Sequence, residues 1–156
     1  MKKVLLMALV VICSVIANAQ NKKNTIAIYV EGNVSRTEKS IIEAKAVSRI
    51  SMCKDFKAVE RTKSFSNSVT KEYDYQISGE VSEEDILKFG KKYAAHYVAV
   101  LNVTKAEDYT VLITARLINV QSGEIIKSVD SNREVYSTDD LIALTNNVTY
   151  RLVTKN

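Results

Sequence analysis

The sequence predicts an α/β (α+β) fold: a mixed five-stranded sheet with helices packed on it, in the order β-α-β-α-α-β-β-β-α. In the first half, β-branched runs such as Thr25–Val30 alternate with segments of helical period. Near the end, two strand-like runs, Tyr109–Val120 and Glu124–Tyr136, are separated only by the turn Gln121–Gly123. Strand–helix–strand connections require parallel neighbours, whereas a short turn joins antiparallel strands. The sheet is therefore mixed and ends in a C-terminal antiparallel meander.

The first half of the chain begins with Thr25–Val30, whose apolar groups on both faces suit an interior strand. Ser35 and Glu38 have capping-box spacing, so we expect a helix that buries four apolar residues: Ile42, Ala46, Val47 and Ile50. A short strand is expected at Phe56–Glu60. A second helix is expected at Thr62–Ile77, where apolar residues recur at every fourth position: Phe65, Val69 and Tyr73.

The second half begins with a third helix, which Ser82–Asp85 opens with acidic residues where the helix dipole favours them. This helix passes Gly90 and leads into Ala94–Val103, which is nearly all apolar and is expected to be the most buried strand. The strand Tyr109–Val120 is expected to turn alternate residues to one face: Tyr109, Val111, Ile113, Ala115 and Leu117. The turn that follows suits a left-handed Gly123.

The last strand and helix complete the predicted fold. Glu124–Tyr136 is more polar than the other strands, which is typical of an edge strand. Thr138–Asp140 is expected to cap a final helix with apolar residues at helical spacing: Leu141, Leu144, Val148 and Leu152.

Residues 1–19 have the three parts of a secretory signal peptide. The basic pair Lys2-Lys3 precedes the apolar run Val4–Ile16, and Ala17–Ala19 forms a small-x-small cleavage site. The apolar run is shorter than the roughly 20 residues that span a bilayer. Cys13 suggests a lipoprotein, but it lies inside the apolar run and follows a bulky residue. We therefore expect cleavage after Ala19 and a periplasmic location.

The remaining residues, 20–156, are expected to form a single domain, because they contain no proline, linker or repeat. Removal of Lys2 and Lys3 lowers the formal net charge from +4 to +2, a balance that does not predict a nucleic-acid partner. Cys53 is then the only cysteine, so no intramolecular disulfide is expected. No further long apolar segment follows, so this part is not expected to span a membrane.

The residues that could carry chemistry are few, and each has a structural alternative. His96 is the only histidine, and no nucleophile-elbow motif accompanies it, so we expect a hydrogen-bonded structural role and no enzymatic activity. One histidine and one remaining cysteine predict no transition-metal site, and no cofactor is expected. Glu83–Asp85 and Asp139-Asp140 could bind a hard cation, but first-turn positions favour capping. Arg61 could bind an anion or pair with a helix acid.

Five segments carry a resemblance through their order and spacing: "TIAIYV", "FKAVERTKSF", "ISGEVS", "LKFGKKYAAHYVAV" and "ARLINVQSGEII". Together they resemble the periplasmic α/β domain shared by CsgG, FlgT, LpoB and the amino-terminal domain of TolB, over about residues 24–153. The chain differs in having His96 where many relatives have Asp, and it lacks a lipobox and the membrane hairpins of CsgG. The resemblance implies this fold and an envelope setting, but neither channel nor synthase-activator activity.

Two functions remain open at this point. The first is a non-catalytic exported envelope protein that acts as a protein-binding accessory or assembly module, with an envelope protein or a second copy as its partner. The alternative is a periplasmic small-molecule or glycan-binding domain with a cleft at the carboxyl ends of the strands.

The open edge of the last strand could accept a strand from the partner, near four residues: Lys127, Val129, Asp130 and Arg133. Alternatively, its charges only keep the edge unpaired. A proline at Val129 would separate the two readings if that N–H faces outwards.

Overall fold

The computed structural model describes residues 23–59, 82–106 and 108–154. The fold is a mixed five-stranded sheet with three helices packed on it, as the sequence predicts. Its strands are β1 (Asn24–Gly32), β2 (Phe56–Ala58), β3 (Tyr97–Lys105), β4 (Thr110–Asn119) and β5 (Ile125–Glu134). Its helices are α1 (Arg36–Ser51), α2 (Glu83–Lys92) and α3 (Thr138–Val153). The predicted signal peptide, the predicted helix Thr62–Ile77 and Arg61 lie outside the described residues.

The strand order in the sheet is β2-β1-β3-β4-β5. β1 is parallel to β2 and to β3, whereas β3, β4 and β5 form an antiparallel meander. The predicted mixture of parallel and antiparallel pairs is therefore confirmed. β3 lies at the centre of the sheet, and β5 forms one edge of it among the described residues.

The apolar core has a layer on each face of the sheet. Helices α1 and α3 cover one face, where they bury Ile42, Ala46, Ile50, Leu141, Leu144, Val148 and Leu152. Helix α2 covers part of the other face, where Ile86 packs with Tyr29, Val98, Val100, Ile118 and Val120. Burying one such aliphatic side chain contributes about 1.5–3 kcal/mol, so these two layers supply most of the driving force for folding.

Side-chain caps start α1 and α3. The Ser35 hydroxyl accepts the Glu38 N–H at 3.2 Å, and the Glu38 carboxylate accepts the Ser35 N–H at 2.8 Å, which confirms the predicted capping box. The cap of α3 is Ser137, one residue before the predicted position. Ser137 is extended, and its hydroxyl accepts the Asp140 N–H at 3.2 Å, so it satisfies an N–H that the helix leaves free.

Two predicted strand boundaries are wrong, and left-handed backbone explains both. The strand predicted from Ala94 begins at Tyr97, because Ala94 (φ +48°) ends α2 instead. The N–H groups of Ala94 and Ala95 donate to the carbonyls of Lys91 and Gly90, both at 3.0 Å, a common way to close a helix. Tyr109 (φ +63°) precedes β4 and is exposed, so it is not part of the predicted core face.

Candidate interaction surfaces

Among the described residues, the outer side of β5 is an open edge of the sheet. Residues of an antiparallel ladder alternate between pairs that exchange backbone hydrogen bonds and pairs that do not. The Val135 N–H donates to the Tyr109 carbonyl at 3.0 Å, one step beyond the register pair of Thr110 and Glu134. Odd-numbered residues of β5 therefore bond to β4, and the backbone N–H and C=O groups of four alternate residues face outwards: Ser128, Asp130, Asn132 and Glu134.

Val129 turns its backbone towards β4. It pairs with Ala115 at a position where the two strands exchange hydrogen bonds. A proline at Val129 would therefore remove a bond of the ladder and would not probe the open edge. The proline test suggested by the sequence required the Val129 N–H to face outwards, and it does not.

Side chains of the predicted edge residues are mostly directed to α3. The Lys127 ammonium donates to the Thr154 carbonyl at 2.8 Å, and the Arg133 guanidinium lies 3.7 Å from the Asp140 carboxylate. Val129 packs against the core. Of the four predicted residues, Asp130 alone has its backbone on the outer side.

Arg151 of α3 reaches the outer side of β5. Its guanidinium donates to the Asp130 carbonyl at 2.7 Å. The outward groups of Ser128 and Asn132 flank this position, and both residues are exposed. One outward acceptor of the edge is therefore occupied from within the molecule.

The turn between β4 and β5 presents an apolar tip, which consists of Ile125 and Ile126. Leu117 pairs with Lys127, whereas Ile118 pairs with Ile125, so Ile126 is an extra residue in a β-bulge. Ile125 and Ile126 are 49% and 52% exposed. The sequence contains a signal for this tip, because two consecutive isoleucines cannot both face the same side of a strand.

A cleft of about 550 Å³ lies at the other end of β4 and β5. Residues Ile41, Val111, Val135 and Leu141 line its apolar part. The rings of Tyr109 and Tyr136 also line it, with centroids 5.5 Å apart and planes inclined by 41°. These two tyrosines are 66% and 69% exposed, so a large aromatic surface faces solvent. We call this site the tyrosine cleft.

Lys105 and Glu38 form an ion pair in the tyrosine cleft. The hydrogen bond from Lys105, together with those from the Ser35 hydroxyl and N–H, lowers the pKa of Glu38 from 4.5 to about 2, against the opposing effect of burial. Glu38 is therefore ionised at neutral pH, and the Lys105 ammonium compensates its charge. The cleft offers no uncompensated charge at this pair.

The rim of the tyrosine cleft is acidic. The hydroxyl of Tyr136 donates to the Glu134 carboxylate at 2.7 Å, which raises the pKa of Tyr136. Asp108 also contributes to this rise in the Tyr136 pKa, through its negative charge. Asp139 lies exposed in the first turn of α3, beside the cleft-lining Thr138.

His96 joins the starts of β1 and β3. Its Nδ1 lies 2.7 Å from the Thr25 hydroxyl and accepts the Thr25 N–H at 3.1 Å. His96 also donates its own N–H to the Thr25 carbonyl at 3.0 Å. These bonds hold two parallel strands in register, although the residue itself is exposed.

Each acidic cluster contributes one residue, Asp85 or Asp140, to the cap of the helix in whose first turn it lies. The Asp85 carboxylate accepts the Ser82 hydroxyl at 2.7 Å, which lowers the pKa of Asp85, and Asp140 completes the cap of Ser137. Within residues 23–59, 82–106 and 108–154, no group of three His, Cys, Asp or Glu side chains could hold a metal ion. No helix in these ranges is long and apolar enough to cross a membrane.

Comparison with known proteins identifies the fold. No protein-family model matches the chain, and no curated protein sequence does either. The PelC dodecamer from Paraburkholderia phytofirmans is similar at a TM-score of 0.54 and 14% identity, over 87% of this chain and 91% of that one. The LpoB C-terminal domain from Salmonella enterica is similar at a TM-score of 0.50 and 14% identity, over 72% of this chain and 83% of that one.

These likenesses concern the fold alone, because the identities are low. They confirm the predicted resemblance to the LpoB domain at the level of the fold. TolB from Acinetobacter baumannii has a TM-score of 0.48, which is too low to support an argument. The resemblance to CsgG and FlgT stays a prediction.

Proposed function

We propose that this chain is a non-catalytic exported protein of the cell envelope that binds another protein as an accessory or assembly module. The observation that carries the proposal is the outer edge of β5, which no other described strand covers. Support for an envelope setting comes from the signal-like residues 1–19. Support for assembly comes from PelC, whose similar structure is a dodecamer. The partner is an envelope protein or a second copy of this chain.

Binding would occur by strand addition to β5. An extended segment of the partner would take the outward N–H and C=O groups of Ser128 and Asn132 into main-chain hydrogen bonds. Full pairing also requires Arg151 to release the Asp130 carbonyl. One hydrogen bond contributes about 0.5–1.5 kcal/mol net, so several new main-chain bonds would offset its loss.

A proline at Asn132 tests strand addition, because this N–H faces outwards and takes no part in the β4–β5 ladder. Asn132→Pro should abolish capture of the partner by the tagged protein in its host envelope, while the denaturation midpoint changes little. Asn132→Ala is the matched control, since it removes the same side chain and keeps the N–H; it should capture the partner as the wild type does.

The alternative interpretation of the β5 edge predicts the opposite result for partner capture. If the charges of β5 only keep the sheet soluble, Asn132→Pro will retain the partner to the same extent as Asn132→Ala. That result, obtained with a folded variant, would remove β5 from the mechanism.

Export is tested by the mass of the processed protein. We predict cleavage after Ala19, so the exported protein should begin at Gln20 and carry no lipid. Ala19→Leu places a bulky residue at the cleavage site and should leave the precursor unprocessed. An intact amino terminus in the exported wild type, or a lipid on Cys13, would contradict this prediction.

A further inference from the structure

The antiparallel pair of β4 and β5 carries exposed apolar groups at both of its ends. The apolar tip lies at one end, and the tyrosine cleft lies at the other. Each strand has ten residues, so the two ends are about 30 Å apart at roughly 3.3 Å per residue. A molecule therefore cannot place its own tip in its own cleft, whereas a second molecule can.

Tyr109 occupies a backbone position that would suit glycine better. Its φ of +63° is left-handed, a conformation that is unfavourable for a residue with a Cβ. Two thirds of the residue remains exposed, so burial within the monomer offsets little of that cost. The Tyr109 carbonyl accepts the Val135 N–H at 3.0 Å, which holds this conformation and leaves most of the ring facing solvent.

The charges at the two ends have opposite signs. Around the tyrosine cleft, the cations Lys105 and Arg133 are paired with carboxylates, and three further acids surround it: Asp108, Glu134 and Asp139. The end with the apolar tip carries one acid, Glu124, and three cations: Lys91 and Lys92 in the last turn of α2, and Lys127 of β5, whose ammonium also donates to the Thr154 carbonyl. Gly123 of the turn lies against Leu87 of α2, which places this helix beside the tip.

We infer that a second copy of this chain docks Ile125 and Ile126 in the tyrosine cleft. The two surfaces match in apolar character, and their surroundings attract each other. The contact is head-to-tail, so its repetition produces a ring if the rotation closes and a filament if it does not. This inference rests on the self-association named in the proposed function, but it uses the ends of the β4–β5 pair and leaves the β5 edge free.

The mass of the full exported protein across a concentration series provides the first test. Light scattering or analytical ultracentrifugation should find assemblies larger than a monomer. Ile126→Asp and Tyr136→Asp should each reduce them to smaller species by placing a charge in the contact. Met52→Asp is the matched control: this apolar residue is 72% exposed, lies outside both surfaces, and should leave assembly unchanged. Circular dichroism establishes that each variant is folded.

Mixing the two variants distinguishes a head-to-tail contact from a two-fold one. Ile126→Asp keeps an intact cleft and Tyr136→Asp keeps an intact tip, so the mixture should form one-to-one dimers and nothing larger. A wild type that is monomeric at every concentration would overturn the inference. So would variants that assemble as the wild type does, or a mixture that forms no dimer.

A disulfide test covers the case in which an aspartate variant fails to fold. One copy carries Ile126→Cys, a second copy with a different tag carries Tyr136→Cys, and both carry Cys53→Ser. A disulfide should join the two differently tagged copies. Disulfides that join identical variants equally well would overturn the contact.

The Asn132→Pro variant separates this inference from the proposed function. If the Asn132→Pro variant still assembles and the Ile126→Asp variant does not, the contact between copies lies at the two ends of the β4–β5 pair. The reverse result overturns the contact and leaves strand addition at β5 in place.

Discussion

Lys105 and Glu38 show how single residues connect the elements of this fold. Glu38 belongs to the first turn of α1 and completes its capping box, whereas Lys105 ends β3. Their ion pair therefore joins a helix start to the central strand, at the wall of the tyrosine cleft. The Glu38 side chain is 27% exposed, so this pair is partly shielded from solvent and is expected to matter more than a fully exposed one.

The Lys105–Glu38 pair predicts a dependence of stability on acid pH. The folded-state pKa of Glu38 is about 2, below its ordinary value of 4.5, so the stabilisation is complete above 4.5. It is lost as the pH falls towards about 2, because the carboxylate becomes protonated. Lys105→Met should reduce this loss, since the hydrogen bond from Lys105 is the largest cause of the shift. Denaturation midpoints across that pH range provide the measurement.

Lys88→Met is the control for the acid-pH prediction. Lys88 lies 3.2 Å from Glu84 and 3.6 Å from Asp85, but all three side chains are exposed. Water and salt screen such pairs, so Lys88→Met should leave the acid dependence of the wild type unchanged. Equal effects of Lys88→Met and Lys105→Met would mean that the Lys105–Glu38 pair contributes no more to the acid dependence of stability than an exposed pair does.

At the scale of elements, the contact between α2 and the sheet depends on Gly90. A Cβ at this position would lie 2.5 Å from a methyl of Val120 and 2.7 Å from a methyl of Val98. The helix thus approaches the sheet at a distance that only glycine permits. The glycine also lies inside a helix, where alanine would ordinarily be favoured by about 1 kcal/mol.

Gly90→Ala should therefore destabilise the protein despite its gain in helix propensity. Overpacking of a core typically costs about 1–3 kcal/mol, which is at least as large as the propensity term, and two contacts under 3.0 Å favour the upper part of this range. Lys91→Ala, at the exposed next position of the same helix, should change the free energy of unfolding by about 0.5 kcal/mol or less. The additional change Val120→Ala makes room for the methyl group, so the double variant should lose less than the sum. A Gly90→Ala protein as stable as the wild type would contradict the predicted close packing.

The sequence predicts best those helices and turns that have strong local signals in their residues. Capping residues and apolar spacing predicted α1 and α3, and the loop with Gly123 predicted the β4–β5 turn, where its φ is +76°. The start of β3 could not be predicted, because Ala94 adopts a left-handed conformation without being glycine. The polar pattern predicted that β5 is an edge, but not which backbone groups face outwards, since that depends on register.

The tyrosine cleft also could not be predicted from the sequence. Tyr109 and Tyr136 are far apart in the chain, and they meet because the register of β4 and β5 pairs Thr110 with Glu134. A shift of one residue would move every side chain of β5 to the other face. Long-range pairing of this kind leaves no local signal.

At the scale of the whole molecule, three different surfaces emerge from one antiparallel pair of strands. β5 offers a backbone edge along its length, while the ends of the pair offer the apolar tip and the tyrosine cleft. Helices α1 and α3 support the cleft end, and α2 supports the tip. The proposed accessory or assembly role rests on these three surfaces.

Hydrogen exchange of the β5 amides, with and without the captured partner, tests the central claim most directly. In the free protein, the N–H groups of Ser128, Asp130 and Asn132 should exchange quickly, whereas those of Val129 and Ser131 are protected by β4. Binding should slow exchange at the first three and leave the other two unchanged, because an added strand occupies only the outward groups. Partner binding that leaves exchange at Ser128, Asp130 and Asn132 unchanged would contradict strand addition at this edge.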